Sequence, residues 1–140
     1  MTTSLDTNIL VALWNPDEAQ NLAVKKALVE SQAAGKLLIC GPVYAELLVS
    51  PARNEEFLDN FCAQAFISVE WELSEQVWRE AGIAYQKYGE RRRKQGTNGP
   101  RRILADFLIG AHAMVGGYRL LTLDGRLYRA AFPKLRVATV

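Results

Sequence analysis

Residues 4–10 read SLDTNIL, and they place a single acid, Asp6, directly after one apolar run and just before another. A charge in the interior of a strand or helix costs free energy unless a partner compensates it. The charge of Asp6 therefore needs a compensating group elsewhere in the chain or bound to it.

Outward from this stretch, short apolar segments alternate with segments of helical pattern. The strand-like segments are KLLICG (36–41), FISVEW (66–71), YRLLTLDG (118–125) and KLRVATV (134–140). Between them lie helical patterns, among them a nearly all-apolar one at 102–117 that indicates a buried helix. This alternation predicts an α/β domain with a central parallel sheet covered by helices on both faces. In such sheets, ligands bind beyond the carboxyl ends of the strands.

Two segments carry explicit boundary signals. The first helix-forming segment, 15–35, starts with Asn15 as a capping residue and a proline in the first turn, and it stops at Gly35. The segment 89–102, GERRRKQGTNGPRR, contains three glycines and a proline without periodicity, and it predicts a loop.

The composition is that of an ordinary globular protein. The chain has 140 residues, of which 49% are hydrophobic and 23% charged, so we expect one domain spanning 1–140. No secretory signal and no run long enough to span a membrane is apparent. Cys40 and Cys62 lie in apolar surroundings without a CxxC pattern, which favours reduced core residues in a cytoplasmic protein.

The net charge of +2 conceals a strong asymmetry along the chain. Residues 1–84 carry five Lys/Arg and twelve Asp/Glu, whereas residues 85–140 carry twelve Lys/Arg and three acids. The second part therefore offers a positive surface to a polyanion or an acidic partner, although an unevenly charged solvated surface is the simpler alternative.

Four carboxylates stand in apolar settings where a surface acid is unexpected: Asp6, Glu46, Asp106 and Asp124. Each has a simple alternative explanation. Asp6 could cap a helix beginning at Thr7 or Asn8, Asp106 could lie in the first turn of its helix, Asp124 could belong to a turn, and Glu46 could point outward. However, the predicted topology brings Asp6 and Asp124 to the same rim of the sheet, because both follow strand-like runs.

Carboxylates gathered at one rim repel one another unless cations lie among them. Hard divalent ions such as Mg²⁺ or Mn²⁺ take oxygen ligands, so the four acids predict a metal site suited to displacement at phosphorus. Other catalytic sets are poorly supported. His112 is the only histidine and is expected to be a packed core residue, and no zinc-ligand spacing or phosphate-binding glycine loop is present.

The segments LDTNIL, VYAELL, LADFLIGAHA and LLTLDG resemble the four acidic motifs of the PIN domain family, in the family's order and over nearly the whole chain. The resemblance is greatest to the VapC toxins of toxin–antitoxin pairs. It implies a three-layer α/β/α fold, Mg²⁺- or Mn²⁺-dependent endoribonuclease activity, a homodimer and inhibition by a VapB-like antitoxin. Transferred by position, it assigns Asp6, Glu46, Asp106 and Asp124 as catalytic metal ligands, supported by Thr7, Asn8 and Thr122.

The resemblance does not indicate what the basic residues before the helix of Asp106 bind. We expect this loop to lie beside the acidic rim and to contact the RNA backbone through Arg91, Arg92, Arg93, Lys94, Arg101 and Arg102. A solvated surface loop is the simpler reading. The alternative function is a catalytically silent RNA-binding module that uses this arginine-rich segment alone.

Overall fold

The structure is a computed structural model and describes residues 1–96 and 102–140. Within these residues five strands alternate with seven helices. In chain order the elements are β1 (Thr3–Leu5), α1 (Thr7–Leu13), α2 (Asn21–Ala34), β2 (Leu37–Cys40), α3 (Gly41–Leu47), α4 (Glu55–Gln64), β3 (Ile67–Glu70), α5 (Glu75–Gln95), α6 (Leu104–Gly116), β4 (Arg119–Thr122), α7 (Gly125–Ala131) and β5 (Arg136–Thr139).

The five strands form one sheet in which every neighbouring pair is parallel, in the order β3-β2-β1-β4-β5. The chain builds outward from β1 to β3 on one side and then returns to add β4 and β5 on the other. The strand order therefore reverses between β1 and β4, and this is the position where open α/β sheets form a ligand crevice. The predicted α/β class and parallel sheet are confirmed.

Helices cover the sheet on both faces. Parallel crossovers are almost always right-handed, so the reversal of strand order puts the helices of the first and second halves on opposite faces. The contacts agree, because α1 packs against α2 while α5 packs against α6 and α7. The result is the three-layer α/β/α arrangement.

The core consists of the buried strands and the helix faces against them. Every side chain of β2 is buried, as a strand covered on both faces requires, and seven consecutive residues of α6, 107–113, are buried as well. Cys40 and Cys62 are free and buried, which confirms their interpretation as core residues.

The prediction that the helix over 15–35 begins at Asn15 is wrong. The helix α2 begins at Asn21, because the Asn15 carboxamide accepts the Asp17 N–H at 3.1 Å and holds the chain in a turn. The buried Asn21 side chain instead donates to the carbonyl oxygens of Ala12 and Leu13 at 2.9 and 3.0 Å. These bonds fix the start of α2 to the end of α1.

The predicted loop at 89–102 is also wrong for its first part, since α5 continues as a helix through Gln95. Arg, Lys, Glu and Gln are good helix formers, and they outweigh the cost of about 1 kcal/mol for Gly89 inside the helix. The helix ends at Gly96, whose φ of 56° is a left-handed conformation that glycine adopts without strain. Arg101 and the rest of 97–101 lie outside the described residues.

None of the helices in 1–96 or 102–140 combines the length and the apolar character that a membrane crossing requires.

Candidate active site

A pocket of about 290 Å³ opens beyond the carboxyl ends of β1 and β4, where the strand order reverses. Four separate segments of the chain bring acidic side chains to it: the β1–α1 junction, α3, the first turn of α6 and the β4–α7 junction. The acids that line it are Asp6, Glu46, Asp106 and Asp124. The structure thus brings together all four carboxylates that stood out in the sequence.

Asp6 is held at the bottom of this pocket by its position at the start of a helix. It is the residue before α1, and one carboxylate oxygen accepts the Thr7 N–H at 2.8 Å. The other oxygen accepts the Thr122 hydroxyl at 2.7 Å, and only 5% of the residue is exposed. Asp6 therefore does cap a helix, as the simpler interpretation proposed, but the cap also fixes the carboxylate inside the pocket.

The three small polar residues predicted to support the acids all contact the site. The Thr7 hydroxyl donates to Glu46 at 2.5 Å, so the same residue orients two carboxylates through its backbone and its side chain. The Asn8 carboxamide oxygen accepts the Leu123 N–H at 3.1 Å, and its nitrogen lies 3.4 Å from the Thr122 hydroxyl. These bonds connect the start of α1 to the end of β4 across the reversal of strand order.

Asp124 is paired with a cation from the same chain. Its carboxylate lies 2.6 Å from the Arg102 guanidinium, and its backbone N–H donates to the Thr122 hydroxyl at 2.9 Å. Arg102 also lines the acidic pocket, so its side chain is directed toward the acids.

Burial and crowding of the acids affect their ionisation. Burial raises the pKa of Asp6 to about 6, and its hydrogen bonds to Thr122 and Thr7 offset only part of that effect. The pKa of Asp106 is also raised, first by burial and then by the charges of Glu46 and Asp124, while Arg102 acts in the opposite direction. The pocket therefore carries negative charge that the described side chains compensate only in part.

The donor set suits a hard divalent ion, because carboxylate oxygens are the ligands that Mg²⁺ and Mn²⁺ prefer. Across 1–96 and 102–140, however, no three His, Cys, Asp or Glu side chains converge closely enough to form a ready-made metal site. The hydrogen bonds explain the spread, since Glu46 is directed to Thr7 and Asp124 to Arg102. Binding of an ion among all four acids would require these two side chains to change partners.

The sequence interpretation did not include Tyr128, which lines the same pocket. Its hydroxyl is buried, and no described residue offers it a partner with good hydrogen-bond geometry. It nevertheless lies close enough to Asp6 to lower the pKa of that acid. Burial, followed by the negative charge of Asp6, raises the pKa of Tyr128 above its usual range, so the hydroxyl keeps its proton. A signal was available: Tyr128 follows Asp124 by four residues, the spacing that places two side chains on one helix face.

The basic residues lie in two places. The run of four, Arg91, Arg92, Arg93 and Lys94, occupies the last turns of α5, where positive charge is favourable to the helix dipole. The Tyr88 hydroxyl, one turn earlier, accepts the Arg102 N–H at 2.7 Å and so connects α5 to the pocket. Tyr88 and Arg102 thus connect α5 to the acidic pocket, whose described lining does not include the run of four. The predicted contact of Arg101 lies outside the described residues.

His112 takes no part in this site. It is buried on α6, and its Nε2 lies 2.8 Å from Glu70, which also accepts the Tyr118 hydroxyl at 2.9 Å. The prediction of a packed, hydrogen-bonded histidine is confirmed.

These features define an α/β protein with an acidic pocket beyond the carboxyl ends of a parallel sheet. The sequence matches the PIN domain family over residues 4–133. The chain therefore belongs to the PIN domain family.

Solved structures with the same fold were found over the whole chain. The structure of VapBC2 from Rickettsia felis bound to a promoter DNA fragment is similar at 22% identity with a TM-score of 0.65, covering 100% of this chain and 99% of that one. A toxin–antitoxin complex from Klebsiella pneumoniae has 20% identity, a TM-score of 0.66 and coverage of 98% and 96%. VapC20 of Mycobacterium tuberculosis, described as a sarcin-ricin loop cleaving toxin, has 15% identity, a TM-score of 0.60 and coverage of 96% and 98%. A comparison with curated protein sequences found no match.

Proposed function

We propose that this protein is a metal-dependent endoribonuclease, the toxin of a VapBC-type toxin–antitoxin pair. The observation that carries the proposal is that four carboxylates from four chain segments line one pocket where the strand order reverses. Membership of the PIN family supports nuclease chemistry, and the similarity to toxin–antitoxin structures supports the toxin assignment.

In this proposal Asp6, Glu46, Asp106 and Asp124 hold Mg²⁺ or Mn²⁺. The bound ion would supply Lewis-acid activation of a water and of the scissile phosphate. Asp6 needs no rearrangement for this role, because Thr7 and Thr122 already fix its carboxylate in the pocket. Glu46, by contrast, accepts the Thr7 hydroxyl and would have to exchange this bond for the ion.

The substrate proposed is RNA, which the basic end of α5 would hold by its phosphates. The run Arg91–Lys94 lies one turn beyond Tyr88, which contacts the Arg102 backbone beside the pocket. Cations placed there can bind the backbone of a strand that enters the acidic site, and such contacts position the strand without reading its sequence. One similar structure is described as a sarcin-ricin loop cleaving toxin, which is consistent with this substrate class.

The partner proposed is a VapB-like antitoxin, and we place its apolar segment in a groove between α2 and α4. This groove has a volume of about 510 Å³ and a largely apolar lining that includes Leu28, Val29, Phe61 and Phe66. Val29 and Phe66 are 68% and 79% exposed, which is unusual for large apolar side chains in a monomer. A homodimer in the cytoplasm, where Cys40 and Cys62 would remain reduced, completes the proposal.

The experiment that tests the function is cleavage of RNA by Asp6→Asn and Asp106→Asn variants with Mg²⁺ or Mn²⁺. Both changes remove a carboxylate from the pocket while keeping its shape, so we expect cleavage to fall by about two orders of magnitude or more. Asp17→Asn serves as the matched control, because Asp17 is exposed and lies away from the pocket.

Two results would contradict the proposal. Cleavage by either pocket variant at nearly the parent rate would exclude the metal-site assignment. Binding of RNA without cleavage under any metal would favour the alternative, a silent RNA-binding module that uses the basic end of α5.

A further inference from the structure

Arg102 is a cation located inside an acidic pocket, and the proposed function does not explain it. Its guanidinium lies 2.6 Å from Asp124, and the two side chains are 38% and 30% exposed. An exposed surface pair at this distance would be of little consequence. This pair, however, lies at the proposed metal site, where each carboxylate oxygen bound to a guanidinium is withdrawn from other partners.

The position of Arg102 is fixed by more than this ion pair. Its backbone N–H donates to the Tyr88 hydroxyl at 2.7 Å, and the Tyr88 ring packs against Phe107 of α6 with centroids 5.4 Å apart. The backbone at Arg102 is therefore attached to α5 and, through the Tyr88 ring, to α6. Asp106, one of the proposed ligands, lies four residues later, in the first turn of α6.

We propose that Arg102 is the internal counter-ion of the acidic pocket and that it exchanges with the divalent ion at Asp124. The inference rests on the proposed metal site. The guanidinium occupies a carboxylate oxygen of Asp124, so an ion can bind that oxygen only after Arg102 releases it. Metal binding then requires the guanidinium to release Asp124, so Arg102 lowers the affinity of the pocket for the ion.

The test is the dissociation constant for Mn²⁺, measured by isothermal titration calorimetry on the whole protein without RNA. For Arg102→Gln we expect Kd to fall about tenfold, the scale of one charge-assisted hydrogen bond. Arg102→Lys keeps a charge without the planar fork and should give an intermediate value. Arg136→Gln is the control, because Arg136 is exposed and lies at the end of the sheet opposite the pocket.

A double-mutant cycle separates exchange at Asp124 from a general effect of charge. If Arg102 acts through Asp124, Arg102→Gln should no longer tighten Mn²⁺ binding when Asp124→Asn is also present. Equal tightening in both backgrounds would overturn the inference. So would a Kd for Arg102→Gln that stays within about twofold of the parent value.

The failure of this inference is distinguishable from the failure of the proposed function. Mn²⁺ binding by the parent that is lost in Asp6→Asn but unchanged in Arg102→Gln would leave the metal site intact and remove the role of Arg102. Absence of Mn²⁺ binding in the parent and in Arg102→Gln would overturn the metal site and the inference together.

Discussion

Replacement of Asp6 by Asn should stabilise the metal-free protein at high pH and have little effect at low pH. The folded protein raises the pKa of Asp6 from 3.8 to about 6, chiefly by burial. The folded state therefore binds the proton of Asp6 more tightly than the unfolded state does. The stability that this protonation contributes is fully present below 3.8 and is lost as the pH rises through about 6.

The size of the effect follows from the shift. Ionisation of Asp6 lowers the free energy of unfolding by about 3 kcal/mol relative to the protonated form. No correction for solvent exposure is needed, because only 5% of the residue is exposed. Asn carries no charge, so the variant avoids this loss. Asn resembles the protonated acid: it accepts the Thr7 N–H but presents a donor to the Thr122 hydroxyl, and the loss of that bond is already contained in the raised pKa. The net gain at high pH is therefore about 3 kcal/mol.

The assay is thermal unfolding followed by circular dichroism in EDTA. At about pH 8 the melting temperature of Asp6→Asn should exceed that of the parent by roughly 5–10 °C, and at about pH 4 the two should nearly coincide. Asp17→Asn, at an exposed position, should show no such dependence on pH. Millimolar Mg²⁺ should then raise the melting temperature of the parent but not that of Asp6→Asn, by mass action on the folded state. A difference between variant and parent that is the same at both pH values would refute the assigned burial effect.

Three further predictions concern the other surfaces. Replacement of both Arg91 and Lys94 by Ala should weaken RNA binding and lower its slope against salt by about 2 in filter-binding titrations, with the cleavage position unchanged; an unaltered slope would exclude these cations as phosphate contacts. Tyr128→Phe removes a buried hydroxyl that makes no bond of good geometry within the described residues, so the free energy of unfolding should change by less than about 1 kcal/mol in denaturant titrations; a larger loss would mean that its interaction with Asp6 is a strong bond. Val29→Asp together with Phe66→Asp should abolish neutralisation by the cognate antitoxin in a growth assay while RNA cleavage persists, and retained neutralisation would place the antitoxin elsewhere.

The sequence was sufficient to predict the parallel sheet and the position of Asp6 and Asp124, because both acids follow apolar strands and parallel strands end at one rim. It was not sufficient to predict the helix through 89–95, since Gly89 was read as a break, although one glycine costs less than the surrounding helix formers contribute. The pairing of Arg102 with Asp124 was also beyond reach. It depends on how α5 and α6 pack, and no periodicity within either segment encodes the direction of that guanidinium.

The fold offers a reason why basic residues accompany an acidic pocket in this chain. A pocket of four carboxylates repels the phosphate backbone of RNA, so an acidic site alone would oppose the binding of its own proposed substrate. In the proposed mechanism the basic end of α5 would offset this repulsion as RNA approaches, and Arg102 would offset it within the pocket until a divalent ion replaces it at Asp124. On this account the two basic features have different tasks. Removal of Arg91 and Lys94 weakens the attraction of RNA at every metal concentration, whereas removal of Arg102 changes the concentration of metal at which cleavage reaches half its maximum.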